Sequence, residues 1–342
     1  MAGVSVGSVS RVFSGHPTVS EDTRARVLAA ASELGYRYPR ASRAGSNRGS
    51  AGIRRIGLIT LGMDKSLTRL PVIASLLQGA HRRAEQHNQT IVVCDVPNPA
   101  DVPKIILNRQ VDALVIKAAL QGTAEQWHTT VVEALENLPH VWLTGRPAGC
   151  TGDVCGSDDF AVGRIAAEHL VLQGHRALAF LNPKADHVVF KQREASFCWH
   201  AQQLGAETIS VKENAKTPLT FPVNPVHKLE EVDALLGQLL KNARQTSAIF
   251  TPADSIAVLV YRALAQRGII VGQDISVISC NYEEMLWSGL YPSLTTIDVH
   301  SEQIGAHAID HLVRRAANPD TEGEVTVALT PSLIEGESVA TL

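Results

Sequence analysis

The amino end holds the side chains whose types and spacing most readily do chemistry on a partner. From Ser5 to Phe13, Val6, Val9, Val12 and Phe13 recur at helical spacing, and Gly15 follows as a stop. Gly7, Ser8 and Arg11 then fall on the outer side of that helix. They are short or forked and polar: an arginine bonds bidentately to guanine, while serine hydroxyls and the backbone amides of a helix start suit phosphates. Residues 1–55 carry nine arginines against Glu21, Asp22 and Glu33, a balance of +6, so with −3 for the whole chain the remainder sums to −9. A basic head on an acidic body points to a polyanion as the head's partner. Catalytic patterns are missing: there is no G-x-G-x-x-G after a strand, no P-loop, no G-x-S-x-G elbow and no H-E-x-x-H, so no enzyme is expected. His307 and His311, with Asp310 between them, come closest to a metal pair. A surface helix explains that spacing better, and neither a metal nor a cofactor is expected. The five cysteines (Cys94, Cys150, Cys155, Cys198, Cys280) are odd in number and form no CxxC, which reads as reduced, mostly buried thiols.

These residues need elements to hold them. The segment HPTVSEDTRARVLAAASELGYR reads as a second helix, with Ser20 as N-cap, Thr23 three residues on, and Val27, Leu28, Ala31 and Leu34 forming an apolar stripe that ends at Gly35. Helix, short turn and helix lets one helix lie in a major groove while its neighbour crosses the backbone; an ordinary helical hairpin shows the same pattern. Residues 39–55, PRASRAGSNRGSAGIRR, have a linker composition. Beyond them short apolar strands alternate with amphipathic helices, the strands falling at 56–61, 90–96, 113–119, 140–145, 177–182, 247–252 and 275–281. Such alternation predicts parallel sheets built from right-handed crossovers, with room for two. The expected divisions are a head at 1–38, a hinge linker at 39–55 and a two-lobed body at 56–342, with lobe 1 at about 56–156 and 289–317 and lobe 2 at about 157–288 and 318–342. The longest apolar runs are strand-length, short of the roughly 20 residues a membrane span needs, and MAGVSVGSVSRVF lacks the marks of a secretory leader. A cytoplasmic location without membrane contact is expected.

The string AGVSVGSVSRVFSGHPTVSEDTRARVLAAASELGYR resembles the DNA-binding head of the lactose-repressor/galactose-repressor family almost residue for residue. The likeness continues through SDDFAVGRIAAEHLVLQGHRALAFL (157–181), AIFTPADSIAVLVYRALAQRGIIVGQDISVIS (248–279) and YPSLTTIDVHSEQIGAHAIDHL, and so covers nearly the whole chain. It implies an α/β body of two doubly wound parallel-sheet lobes of periplasmic-binding-protein type, preceded by a small all-α helix-turn-helix head. It also implies effector-controlled binding of a pseudo-palindromic double-stranded DNA operator by a homodimer, as in a repressor of a carbohydrate-utilisation operon. By the same likeness Val6, Gly7 and Arg11 take base-reading positions, and Ser5, Ser10, Ser14 and Ser20 phosphate-contacting ones. For the effector, a sugar or sugar derivative, Arg193 stands where the family places a ligand-binding arginine, and Asn281 where many members carry an aspartate. Phe160 follows Asp158 and Asp159 and suits stacking on a ring, Asp64, Ser66 and Arg69 lie in a loop that could close over the ligand, and Asp254 and Trp287 are further candidates. Each has a structural alternative: Arg193 and Asp254 as ion pairs, Phe160 as core.

Three departures from the family pattern bear on these expectations. Met1 directly precedes AGVS, so the apolar helix that would brace the reading helix is absent from the sequence. Either translation starts upstream, or the head is poorly folded and the chain is a sugar-binding protein that no longer binds DNA specifically. The linker offers Arg40, Arg43 and Arg48 to phosphates but no leucine to wedge into the minor groove. Ala253 precedes Asp254 where an asparagine is common, and SCNY replaces the usual run around the strand end, so the ligand is expected to differ from the common hexoses and pentoses.

Overall fold

The computed structural model describes residues 4, 5, 9, 12, 19–33, 52–64, 70–122, 124–127, 130–213, 219–242, 245–318 and 323–342. The chain divides into two units, 1–51 and 52–342. In the first, α1 (Glu21–Glu33) begins where the sequence places a cap: the Ser20 hydroxyl accepts from the Thr23 amide at 3.3 Å, and Val12 and Val27 are buried. Val6, Gly7, Ser10, Arg11 and Ser14 lie outside the described residues, as do Ser66 and Arg69.

The second unit contains two six-stranded sheets. The first runs β2 (Thr90–Val96), β1 (Arg55–Leu61), β3 (Ala113–Ala118), β4 (His140–Leu143), β5 (Asp153–Ser157) and β11 (Thr326–Leu329), all parallel. The second runs β7 (Glu207–Lys212), β6 (Ala177–Asn182), β8 (Ala248–Phe250), β9 (Ser276–Cys280), β10 (Thr295–Asp298) and β12 (Ser332–Ile334), with only β12 antiparallel. Central strands such as β1, β3 and β9 are buried on both faces because helices cover them, which is why they read as continuous apolar runs. The helices of this unit are α2 (Pro71–Gln86), α3 (Lys104–Leu107), α4 (Ala124–Trp127), α5 (Thr130–Glu136), α6 (Asp159–Leu172), α7 (Val188–Gln203), α8 (Leu229–Asn242), α9 (Asp254–Ala265), α10 (Glu284–Trp287) and α11 (Ser301–Ala317).

Strands β5, β7, β10, β11 and β12 were not among those expected from apolar runs. The edge strands β7 and β11 are half-exposed along their length, and β5, DVCGS, is largely polar, so none carries the run that flags a buried strand. The lobe boundaries also need correction. The expected division put 289–317 in lobe 1 and 318–342 in lobe 2; instead β10 completes the second sheet while α11 packs on the first, and β11 returns to the first before β12 closes the second. The chain therefore passes between lobes three times, after β5, β10 and β11.

In both sheets the order of the first five strands is 2-1-3-4-5, so the connections reverse direction beside β1 and β6. Open α/β sheets bind ligands outside the carboxyl ends of the strands at such a reversal. The two lobes turn these ends toward each other.

Candidate functional site

Between the carboxyl ends lies a cavity of about 920 Å³, counted out to its mouth. Its walls are strand exits, Met63 after β1, Lys117 and Gln121 at β3, Thr144 after β4, Lys184 after β6, Ala253 after β8 and Asn281 after β9, together with the first turns of α2, α6, α7, α9 and α11. Five helix amino ends thus converge on one space, and only that of α6 has its N-cap satisfied by a side chain, Asp158 to the Ala161 amide. The positive ends of their helix dipoles face the cavity. The residues Phe221 to His227, although they connect β7 to α8 of the second lobe, cross to the first lobe as a strap. Val223 exchanges backbone hydrogen bonds with Gly62 and Asp64, the Phe221 ring meets Trp127 edge-on at 4.7 Å, and Pro225 and His227 are brought to the cavity.

Arg193, one and a half turns into α7, is 5% exposed. Gly163 lets α6 and α7 approach there: a Cβ on it would stand 2.4 Å from the Arg193 carbonyl oxygen. The guanidinium donates to the Asp159 carboxylate (Nε at 2.8 Å, Nη2 at 2.7 Å), to the Pro252 carbonyl at 2.7 Å, to Cys280 Sγ at 2.8 Å and to Asn281 Oδ1 at 3.0 Å. It ties together the amino end of α6 and the exits of β8 and β9. Asn281 has φ of 110°, a strained value for a residue with a Cβ, so its side chain is aimed into the cavity at a backbone cost.

Two residues further on, Glu283 is 3% exposed. One carboxylate oxygen accepts from the Val72 amide at the start of α2, across the lobes, at 3.2 Å; the other is buried without a partner. Burial pushes its pKa up. Lys117 is the one charged residue of β3 and is 6% exposed; its ammonium donates to the Ala118 carbonyl at 2.9 Å, and burial pulls it down to about 8 against the opposing pull of Asp159. His187 and His227 flank Phe190, with ring centroids at 4.2 and 6.4 Å from it. Burial holds both imidazoles neutral, helped at His187 by the charges of Lys117, Arg193 and Lys184; His227 is brought down to about 4.

Among the described residues, eight buried side-chain polar atoms lack a hydrogen-bond partner, and five of them, on Ser157, His187, His227, Glu283 and Ser301, belong to residues lining this one cavity. Buried polar groups are ordinarily satisfied, so their gathering at one place marks a site shaped for a polar guest.

The structure brings Arg193 and Asn281 to the cavity. It places the other described candidates elsewhere. Asp254 is wholly buried beneath the β9 exit, where it accepts from the Glu283 amide at 2.7 Å and the Thr296 hydroxyl at 2.7 Å; burial and the nearby Glu283 push it up to about 7. Phe160 is 54% exposed and meets the His200 ring edge-on at 5.5 Å, neither core nor cavity wall. Trp287 packs on Tyr282 and the second lobe's core, and Asp64 is held in the strap contact, both away from the lining. Lys117, Glu283, His187 and His227 were missed. A lone lysine inside ALVIKAA was a legible signal for the first, whereas the histidines lie in loops and carry none. Among the described residues no cluster of three His, Cys, Asp or Glu is arranged for a metal; His311 instead meets Asp153 at 2.6 Å and Asp310 meets His87 at 2.9 Å.

Two doubly wound lobes hinged by three crossings, with a largely apolar cavity between them into which a few buried polar groups converge, define a ligand-binding protein of the periplasmic-binding-protein type. Residues 167–339 match the periplasmic binding protein-like domain family, and residues 1–38 match the family described as bacterial regulatory proteins, lacI family. The chain belongs to the LacI family of bacterial regulatory proteins. It is 26% identical to the ribose operon repressor of Escherichia coli over 340 residues, 98% of this chain and 96% of that one. It is 24% identical to the HTH-type transcriptional repressor PurR of Mannheimia succiniciproducens, over 99% and 96% of the two chains. In fold it is similar to the transcriptional regulator CelR–cellobiose complex (TM-score 0.67, 22% identity, 98% and 97% covered) and to the lac repressor dimer bound to operator and the anti-inducer ONPF (TM-score 0.65, 22% identity, 99% and 96% covered). No helix among the described residues is long and apolar enough to cross a membrane.

Proposed function

We propose that the chain is an effector-responsive repressor that binds a pseudo-palindromic operator as a homodimer through residues 1–38, and whose operator affinity changes when a sugar or sugar derivative occupies the interlobe cavity. The observation that carries the reading is the concentration of unpartnered buried polar atoms in that cavity, in a chain whose amino end matches a DNA-binding regulator family. The comparisons support both halves: relatives in sequence are repressors by name, and two solved structures of similar fold hold cellobiose and ribose. In this reading Val6, Gly7 and Arg11 contact bases, Ser5, Ser10, Ser14 and Ser20 contact phosphates, and the linker at 39–55 connects head to body. Arg193, Asn281 and Glu283 contact the effector. No reaction is assigned to the chain.

Ligand closes the cleft, one lobe turns against the other at the three crossings, and the spacing of two heads in the dimer changes. A 100-fold change in operator affinity requires the ligand to prefer one state by about 2.7 kcal/mol. The test is fluorescence anisotropy with duplexes tiled across the DNA upstream of the gene, over a range of salt, with and without sugars and sugar acids. One duplex should bind in preference to scrambled DNA and respond to a ligand that also raises Tm. Equal binding of all duplexes at every salt concentration would refute the regulator reading.

A further inference from the structure

The charges around the cavity are not balanced. Asp159 is engaged by Arg193, and Glu283 by the amino end of α2, so the two remaining charged linings are Lys117 and Lys184. Among the described residues neither lysine forms an ion pair, and Lys117 is more than nine-tenths buried with one protein acceptor, a backbone carbonyl. A buried ammonium with donors to spare is costly unless an anion meets it. The neighbouring surface points the same way. The Val188 amide donates to the Leu120 carbonyl at 2.9 Å, which fastens the start of α7 to the exit of the strand bearing Lys117. That first turn has neither an acidic residue nor a side-chain cap, the arrangement that receives anions at helix amino ends. His187, at the N-cap, is neutral beside Lys117, Lys184 and Arg193, so it adds a polar ring without adding a competing charge.

We propose that the effector is a small polyhydroxylated anion, a sugar acid or a sugar phosphate, whose charged group is held by Lys117 and the amino end of α7 while its hydroxyls meet Glu283, Asn281 and Ser301. The inference rests on the reading of the cavity as the effector site. Lys117 distinguishes this cavity from one for a neutral sugar, where a buried cation would cost desolvation and return only a neutral hydrogen bond.

The experiment is titration calorimetry on the full chain with D-glucose and D-ribose, with D-gluconate and D-ribonate, and with the terminal phosphate esters of both sugars. At least one anion should bind more tightly than its neutral parent by about 10- to 150-fold, the range for a hydrogen bond to a charged group. Whether the carboxylates or the phosphate esters bind tells the two sources apart. Lys117→Met should lose that preference, Lys117→Arg should keep part of it, and the ligand-free Lys117→Met protein should be at least as stable as wild type, since an unpaired buried charge has gone. Neutral sugars that bind as tightly as their acids and shift operator affinity would overturn the anion proposal and leave the effector-site reading standing. Absence of binding by every anion, or an unchanged preference in Lys117→Met, overturns it as well.

Discussion

At Arg193 one side chain serves two purposes. Its guanidinium faces the cavity and also neutralises Asp159, a buried carboxylate held at 2.7 Å. Arg193→Ala therefore strands a buried charge and should lower stability by about 3–5 kcal/mol, read as a shift of the denaturant midpoint. Arg193→Ala combined with Asp159→Ala should recover much of that loss; additive losses in the double variant would show that the pair is not coupled. Glu283→Gln keeps an acceptor for the Val72 amide while removing the charge and putting an NH2 donor in place of the second carboxylate oxygen, so a changed ligand response there reports on contact with the ligand. His227 supplies a pH signal of definite sign. Its folded pKa of about 4 lies below the unfolded value of 6.5, so the unfolded chain takes up the proton first and stability is lost as pH falls from about 6.5 to about 4. His227→Gln should shrink the drop in stability between about pH 7 and about pH 5, measured by urea denaturation, and an equal drop in both proteins would contradict the burial argument.

Among the elements, α2 and α11 pack so closely that a Cβ on Gly79 would fall 1.8 Å from the Glu302 carbonyl oxygen, and one on Gly305 2.0 Å from that of Leu76. Backbone is the obstacle on both sides and cannot rotate away. Gly305→Ala should cost at least about 1–3 kcal/mol through overpacking. Gly237, inside α8, meets nothing nearer than the tip of Arg267 at 3.5 Å, so Gly237→Ala should stabilise by about 0.5–1 kcal/mol through helix propensity. Thermal unfolding of the two variants should move in opposite directions; like shifts would mean that the α2–α11 contact is looser than described. Because α2 and α11 both start at the cavity, their fixed packing makes the first lobe's side of the site a rigid wall.

For the whole molecule the relevant motion is closure, and the strap is its clasp. Phe221 on Trp127 and Val223 on Gly62 bind a segment of the second lobe to the first, next to the Glu283–Val72 bond. Phe221→Ala should leave each lobe folded but open the cleft more often, raising the ligand dissociation rate by about tenfold for each 1.4 kcal/mol of closure energy lost. Stopped-flow release measures it, and an unchanged rate would mean that the strap does not gate the cavity. Much of this architecture was legible in the chain. Alternating apolar strands and amphipathic helices determine two doubly wound sheets, because each element must bury its own apolar face, and the string around Arg11 determines the family. The choice of cavity residues was not. Arg193 and Asn281 follow from family position, but Phe160 rests on residue type, and type does not say which way a side chain points once a strand ends. Lys117 acquires its meaning from Leu120 meeting Val188, and Glu283 from Val72 lying opposite, contacts between residues 68 or more positions apart. Local periodicity is a property of neighbours along the chain, whereas the balance of charge in a cleft depends on which strand ends the three crossings bring face to face, and only the folded molecule decides that.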